Sequence, residues 1–150
     1  MSLPPGPRYI PSKTVEEFIY AVLEGPPLEW RLLILQGSRG EGKKTGVIMA
    51  CAAVAEELRA KGFTEFPLIV AFVRDTWENL KRTSLAAFKE NRTKGMPIEI
   101  FDGGKQATFG SPDSPAVHFW FFGLDPAADA DKLQGFPCGI LVLEEVAPAA

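Results

Sequence analysis

The chain contains the stretch Arg31-Leu-Leu-Ile-Leu-Gln-Gly-Ser-Arg-Gly-Glu-Gly-Lys-Lys-Thr45, in which an apolar segment runs into a glycine-rich turn. Residues 31–36 predict a strand, and the turn leads into a helix predicted from about Lys44 to Lys61, which Gly62 stops. A tight turn between strand and helix points successive backbone N–H groups and the positive end of the helix dipole at one spot, where the Lys43 ammonium can join them. This arrangement favours a polyphosphate ligand.

The turn matches most of the pattern G-x-x-x-x-G-K-[ST], the Walker A motif of P-loop proteins. Lys44 stands where the pattern has a hydroxyl that ligates Mg²⁺, and the hydroxyl comes one residue later, at Thr45. Either Lys44 points away while Thr45 or water substitutes, or it weakens metal binding. The alternative is a glycine-rich turn without a ligand. The nucleotide-binding residues predicted from the pattern are Gly37, Ser38, Arg39, Gly40, Glu41, Gly42, Lys43, Lys44 and Thr45.

A second motif lies near the end of the sequence, where the apolar stretch Cys138-Gly-Ile-Leu-Val-Leu ends in Glu144 and Glu145. A strand that ends in two adjacent carboxylates is what a Walker B segment requires. Glu144, with Thr45, is then the predicted Mg²⁺ site, and Glu145 is the predicted base that polarises the attacking water. The alternative is a strand that leaves the core and ends in solvated carboxylates. Together the two motifs predict ATP hydrolysis with ATP and Mg²⁺ as cofactors, and Lys43 as a further catalytic residue.

The remaining pattern alternates strands and helices. Residues 67–73 predict a buried strand, and Thr76 can cap a helix through about Glu90 whose apolar positions are Trp77, Leu80, Leu85 and Phe88. Short extended segments between residues 97 and 122 predict a β-hairpin excursion, and a brief helix is predicted from Pro126 to Leu133. The predicted fold is α/β, a P-loop three-layer sandwich with a mainly parallel central sheet, in one domain (1–150) with an extended leader (1–12).

Composition limits the classes of function. The chain has 150 residues, 46% of them apolar, which is enough for one sizeable core. Its net charge is −3, so the composition does not indicate the basic surface that nucleic-acid binding requires. Cys51 and Cys138 are not spaced like metal ligands, so we expect reduced, buried thiols. His118 lies in an apolar run, so we expect it to be a packed strand residue. Neither a signal peptide nor a membrane span is predicted, so we expect a cytoplasmic protein.

Four segments resemble the N-terminal ATPase domain of tailed-phage terminase large subunits, the motors that pump DNA into procapsids. They are Gly37-Ser-Arg-Gly-Glu-Gly-Lys43, Val70-Ala-Phe-Val-Arg-Asp-Thr-Trp-Glu-Asn-Leu-Lys-Arg82, Phe121-Phe-Gly-Leu-Asp125 with Lys132-Leu-Gln-Gly135, and Ile140-Leu-Val-Leu-Glu-Glu145. The resemblance covers most of the chain and implies a viral DNA-packaging ATPase.

The resemblance also implies roles for single residues and partners. Arg39, four residues before Lys43, stands where the family has an arginine that senses the γ-phosphate, although a solvent-facing loop arginine is the alternative. Arg74 matches the family pattern without a clear role, and the Lys132–Gly135 stretch lacks an arginine for a trans-acting finger. The implied partners are double-stranded DNA, a portal protein, a small terminase subunit and further copies in a ring. By the same resemblance we expect a chain truncated after the Walker B strand, without the family's nuclease domain and without DNA cleavage.

Two other functions stay open at this point. One is a different P-loop enzyme, either a helicase or a small-molecule kinase, although the adjacent carboxylates favour water as the nucleophile. The other is an assembly module that binds nucleotide, or none, without turnover because Lys44 compromises the metal site. A basic cluster could contact DNA, but we favour a solvated helix face for it. Its members are Lys81, Arg82, Lys89, Arg92 and Lys94.

Overall fold

A computed structural model describes residues 43–125 and 131–144, together with Lys13, Glu16, Glu17 and Leu23, which are helical. The chain divides into two compact units, Met1–Glu65 and Phe66–Ala150, and each is described by itself. Several predictions lie outside the described residues: the extended leader, the strand over 31–36, the turn from Gly37 to Gly42, and Glu145. The prediction that 1–150 form one domain stays a prediction.

The first unit contributes helix α1, Lys43–Ala60, which begins directly after the glycine-rich turn, as the sequence predicts. Gly62 ends the helix with a φ of 92°, a conformation that costs glycine little. The N–H groups of Gly62 and Phe63 donate to the carbonyls of Arg59 and Leu58, both at 3.1 Å. These two bonds form a Schellman motif, so the predicted stop at Gly62 is confirmed.

The second unit is built on a five-stranded mixed sheet with the order β2-β3-β4-β1-β5. Its strands are β1 (Leu68–Arg74), β2 (Ile98–Phe101), β3 (Gln106–Ser111), β4 (Ser114–Gly123) and β5 (Ile140–Glu144). β1 lies between β4 and β5 and pairs parallel with both. β3 pairs antiparallel with β2 and with β4. The α/β class and the parallel centre of the sheet are therefore confirmed.

The segment predicted as a hairpin excursion has a different place in the fold. The strands predicted there do form, but β4 extends to Gly123, and its residues 117–123 pair with the whole length of β1. The antiparallel β2-β3-β4 meander is therefore part of the main sheet rather than an excursion from it. The apolar run Val117–Phe122 is long and nearly continuous because it is an inner strand that is covered on both faces.

One face of the sheet is covered by a helical segment that follows β1. It consists of α2 (Trp77–Leu80), a π-helical turn (Lys81–Leu85) and α3 (Ala86–Thr93). Thr76 caps the segment as predicted, since its hydroxyl accepts a hydrogen bond from the backbone N–H of Asn79 at 3.1 Å. Phe88 packs edge-on against Phe119 and Phe121 of β4, with ring centroids 4.7 and 5.0 Å apart. Leu80, Leu85 and Phe88 are buried, as predicted.

The opposite face has a smaller apolar cluster, in which Ala71, Val73 and Phe122 are buried. Phe136 packs against Phe122 with ring centroids 5.1 Å apart, and Cys138 lies in the same cluster. Cys138 is half-buried, so the prediction of a buried thiol is wrong there but correct for Cys51. Of the helix predicted from Pro126 to Leu133, the structure describes residues 131–133, which are helical.

Candidate functional site

The candidate site lies where the parallel strands β1 and β5 end. Arg74 is the last residue of β1, Glu144 is the last residue of β5, and the two are register partners. Parallel strands bring their carboxyl ends to the same edge of a sheet, and open α/β sheets bind ligands at that edge. The sequence therefore places an arginine and a carboxylate side by side at the edge where chemistry is expected.

Glu144 is held by two side chains. Its Oε2 accepts a hydrogen bond from the hydroxyl of Ser84, and Nη1 of Arg74 lies 4.0 Å from the same oxygen. The Glu144 side chain is 19% exposed, so solvent screens these contacts only in part. A carboxylate in such a setting is oriented by its neighbours while one side stays accessible.

Arg74 is the most buried cation of the site, with a side chain 11% exposed. Its Nη1 donates to the hydroxyl of Thr83 at 3.2 Å, and its Nε lies 3.5 Å from Oδ1 of Asp75. The Thr83 hydroxyl in turn donates to the carbonyl of Asn79 at 2.7 Å. Since the guanidinium is planar and always charged, it joins the end of β1, the helical segment and Glu144 in one fixed geometry.

Asp75 and Asn79 form the outer part of the cluster. The Asn79 amide donates to both carboxylate oxygens of Asp75, at 3.0 and 3.1 Å, and the backbone N–H of Thr76 donates to Oδ1 at 2.8 Å. The side-chain hydrogen bond from Asn79 is the main cause that lowers the pKa of Asp75, and the bond from Thr76 and the charge of Arg74 act in the same direction. Asp75 is therefore ionised at neutral pH.

The structure places only some of the predicted site residues. Lys43 opens α1, and Lys44 and Thr45 follow it in the first turn, both half-buried. Glu144 is the last described residue of β5, and its predicted role as a metal ligand stays a prediction. Arg39, the rest of the glycine-rich turn and Glu145 lie outside the described residues, so their predicted roles stay predictions. Lys44 and Thr45 belong to the first unit and Glu144 to the second.

Sequence reasoning missed Ser84 and Thr83. Both follow the capped start of the helical segment, and Ser84 is buried although it is polar. The signal was present in the spacing of Leu80 and Leu85, five residues apart, because such a spacing does not fit one face of a regular α-helix. The π-helical turn allows Leu80 and Leu85 to be buried together, and it brings Ser84 into contact with Glu144.

Other residues considered from the sequence have structural explanations. His118 is half-buried, stacks on Trp120 with centroids 5.0 Å apart and hydrogen-bonds Gln106 at 2.9 Å, which agrees with a packed strand residue. Burial lowers the pKa of His118 and raises that of the Cys51 thiol to about 12, so this thiol stays protonated and unreactive.

The predicted basic cluster largely satisfies its charges within its own helical segment. Lys81 pairs with Glu78 at 3.0 Å, Lys94 pairs with Glu90 at 3.1 Å, and Arg82 donates to Asn79 at 2.8 Å. Ion pairs of this kind between residues three and four apart are typical of a solvated helix face. The basic cluster is therefore a solvated helix face, which is the interpretation that we favoured from the sequence.

Within residues 43–125 and 131–144, no group of three or more His, Cys, Asp or Glu side chains is arranged to hold a metal ion. None of the described helices combines the length and the apolar character that crossing a membrane requires. Comparison with known proteins found no matching family model, no matching curated protein and no matching solved structure.

Proposed function

We propose that this chain is an ATP-binding and ATP-hydrolysing domain of the P-loop type, and that it serves as the ATPase of a phage DNA-packaging terminase. The observation that carries the proposal is the position of Glu144. This carboxylate lies at the carboxyl end of β5, parallel to β1, and a cation and a buried hydroxyl hold its side chain. A Walker B acid would take that position, and a helix that begins at Lys43, directly after the glycine-rich segment in sequence, is what a Walker A motif would require.

The residues at the site fit Mg²⁺. Mg²⁺ prefers oxygen ligands and binds through one or two carboxylates together with waters and substrate phosphates, so a dedicated cage of protein ligands is not needed. Glu144 provides such a carboxylate, partly accessible and oriented by Ser84. In this proposal Glu144 would hold Mg²⁺, which would neutralise negative charge on the phosphates, and Thr45 stays the second ligand expected from the sequence motif.

The other roles follow from the chemistry of the side chains. Lys43 and the backbone N–H groups of the glycine-rich turn hold the phosphates, and Arg39 contacts the γ-phosphate. Glu145, one residue beyond the metal acid, accepts a proton from the attacking water. Positioning and charge stabilisation supply most of the rate enhancement in phosphoryl transfer, so these groups suffice for hydrolysis.

The biological setting is proposed from the resemblance in sequence. Hydrolysis would power translocation of double-stranded DNA into a procapsid, in a homo-oligomeric ring that works with a portal protein and a small terminase subunit. Cytoplasmic location in the bacterial host accompanies this role. A helicase built on the same motifs would differ in unwinding a duplex, and a strand-displacement assay separates the two.

Phosphate release from ATP, measured with and without Mg²⁺, tests the enzymatic proposal. Wild type should show Mg²⁺-dependent release, and Lys43→Ala and Glu145→Gln should each lower the rate at least about 100-fold, since each removes a group that acts in the transition state. Arg92→Ala, on the exposed side of α3, is the matched control and should retain the wild-type rate. Release that Lys43→Ala leaves unchanged would refute the proposal.

A second candidate is a nucleotide-binding assembly module without turnover. Lys44 favours it, because this residue lies in the first turn of α1 where the Walker A pattern has its metal-binding hydroxyl. In that case wild type binds ATP without Mg²⁺ dependence and releases no phosphate. Lys44→Thr should then confer Mg²⁺-dependent turnover, whereas an active wild type would rule this candidate out.

A further inference from the structure

The helical segment after β1 is irregular at one point, the π-helical turn Lys81–Leu85. In a regular α-helix, residues five apart lie about 140° apart around the axis, so Leu80 and Leu85 could not share one buried face. The wider π turn brings both into the core, where their exposed fractions are 0% and 3%. Ser84 lies in the same turn and is 1% exposed. Single π turns of this kind occur frequently at functional sites.

The hydrogen bonds of two neighbouring hydroxyls show what the turn accomplishes. A serine or threonine inside a helix commonly donates to the carbonyl four residues earlier, and Thr83 does so to Asn79 at 2.7 Å. The Ser84 hydroxyl instead donates to the Glu144 carboxylate, 60 residues further along the chain. A buried hydroxyl is costly unless it is hydrogen-bonded, so Ser84 and Glu144 depend on each other.

The contacts of Ser84 and Arg74 with Glu144 engage the same carboxylate oxygen. Ser84 donates to Oε2, and Nη1 of Arg74 approaches the same atom at 4.0 Å. Nη1 lies too far from Oε2 for a hydrogen bond and attracts it by charge. The Ser84 hydroxyl forms a hydrogen bond to the same oxygen, and a hydrogen bond has a preferred direction. A residue of the π turn therefore directs one oxygen of the Glu144 carboxylate.

We infer that Ser84 is a positioning residue, which holds the Glu144 carboxylate in the orientation that serves Mg²⁺. The contact between Ser84 and Glu144 stands on geometry alone, but its role toward the metal rests on the proposed function. Groups that orient a metal ligand from behind typically change metal affinity by 10–100-fold when they are removed. Ser84 would then matter for Mg²⁺ without touching it.

A double-mutant cycle tests the contact without any ligand. Urea unfolding is measured for wild type, Ser84→Ala, Glu144→Ala and the double variant. Ser84→Ala should lower the midpoint clearly in wild type and at least about twofold less in the Glu144→Ala background, since its partner is then already gone. Thr93→Ala, which removes a hydroxyl bound to Glu90 in the same helical segment, is the control and should give equal shifts in both backgrounds. Equal shifts for Ser84→Ala would overturn the inference.

Mg²⁺ titration by calorimetry, with the full chain saturated with a non-hydrolysable ATP analogue, tests the role. Ser84→Ala should weaken Mg²⁺ binding about 10-fold, Ser84→Thr should restore most of it because the hydroxyl is kept, and Thr93→Ala should not differ from wild type. Unchanged or tighter binding by Ser84→Ala would overturn the positioning role. If wild type shows the coupling in unfolding but binds no Mg²⁺ with the analogue, the proposed function fails while the Ser84–Glu144 contact stands.

Discussion

Arg74 donates a hydrogen bond from Nη1 to the hydroxyl of Thr83, at 3.2 Å. This contact joins the end of the central strand β1 to the π-helical turn that follows it. Because Arg74 also lies beside Glu144, the guanidinium connects three parts of the candidate site. All three parts belong to the second unit, so the fold of this unit alone brings Arg74, Thr83 and Glu144 together.

Replacing Arg74 should destabilise the protein. Arg74→Leu removes a cation from beside the partly buried Glu144 carboxylate and also the hydrogen bond to Thr83, and losing such charged contacts costs about 2 kcal/mol of unfolding free energy. The unfolding free energy of Arg74→Lys should lie between those of wild type and Arg74→Leu, since a lysine keeps the charge but lacks the planar guanidinium group. Urea denaturation measures both. Arg92→Ala is the control and should stay within about 0.5 kcal/mol of wild type. A loss of less than about 0.5 kcal/mol for Arg74→Leu would contradict this prediction.

Gly123 ends β4 directly against the start of the helical segment. A Cβ at this position would overlap the backbone nitrogen of Trp77 and approach its Cα at 2.7 Å, and backbone cannot move aside cheaply. Gly123→Ala should therefore cost about 3 kcal/mol, at the upper end of overpacking effects. In Gly139→Ala the close contact of the new Cβ is with the end of the Leu68 side chain, at 2.8 Å, and the nearest backbone atom is 3.7 Å away, so we expect a smaller loss. Thermal unfolding of both variants checks the order, and equal losses would show that the close approach has no energetic effect.

Part of this architecture follows from local sequence signals. The cap at Thr76, the buried positions Leu80, Leu85 and Phe88, the stop at Gly62 and the strand that ends at Glu144 all depend on residues close in sequence, and the structure confirms each of them. Capping, apolar periodicity and glycine conformations act within a few residues, so they can be recognised without knowledge of the fold.

The rest depends on contacts between distant residues. The order of the sheet places β4 beside β1, and no local pattern states which strands will pair. For the same reason the meander was predicted as an excursion. Ser84 was missed because its role depends on a partner 60 residues away and on a π turn, a geometry rare enough that helical periodicity does not anticipate it.

Stability should fall in acid partly because of Asp75. Hydrogen bonds from Asn79 and Thr76 lower the pKa of Asp75 in the folded state below its ordinary value of 3.8, so the unfolded chain takes up the proton first. The carboxylate therefore contributes stability above that ordinary value, and the contribution is lost as pH falls through the lower folded-state pKa. Urea midpoints measured between about pH 2 and pH 5 should fall more steeply for wild type than for Asp75→Asn. Parallel curves would contradict this assignment.

The central claim is that the glycine-rich turn and Lys43 bind a nucleoside triphosphate. Calorimetric titration of ATP with Mg²⁺ into the full chain tests it most directly, with Lys43→Ala as the variant and Arg92→Ala as the control. The account predicts saturable binding to wild type and to the control, and at least about a 10-fold loss of affinity in Lys43→Ala, since a charge-assisted contact to phosphate is removed. Absence of binding to wild type, or equal binding by Lys43→Ala, would contradict it.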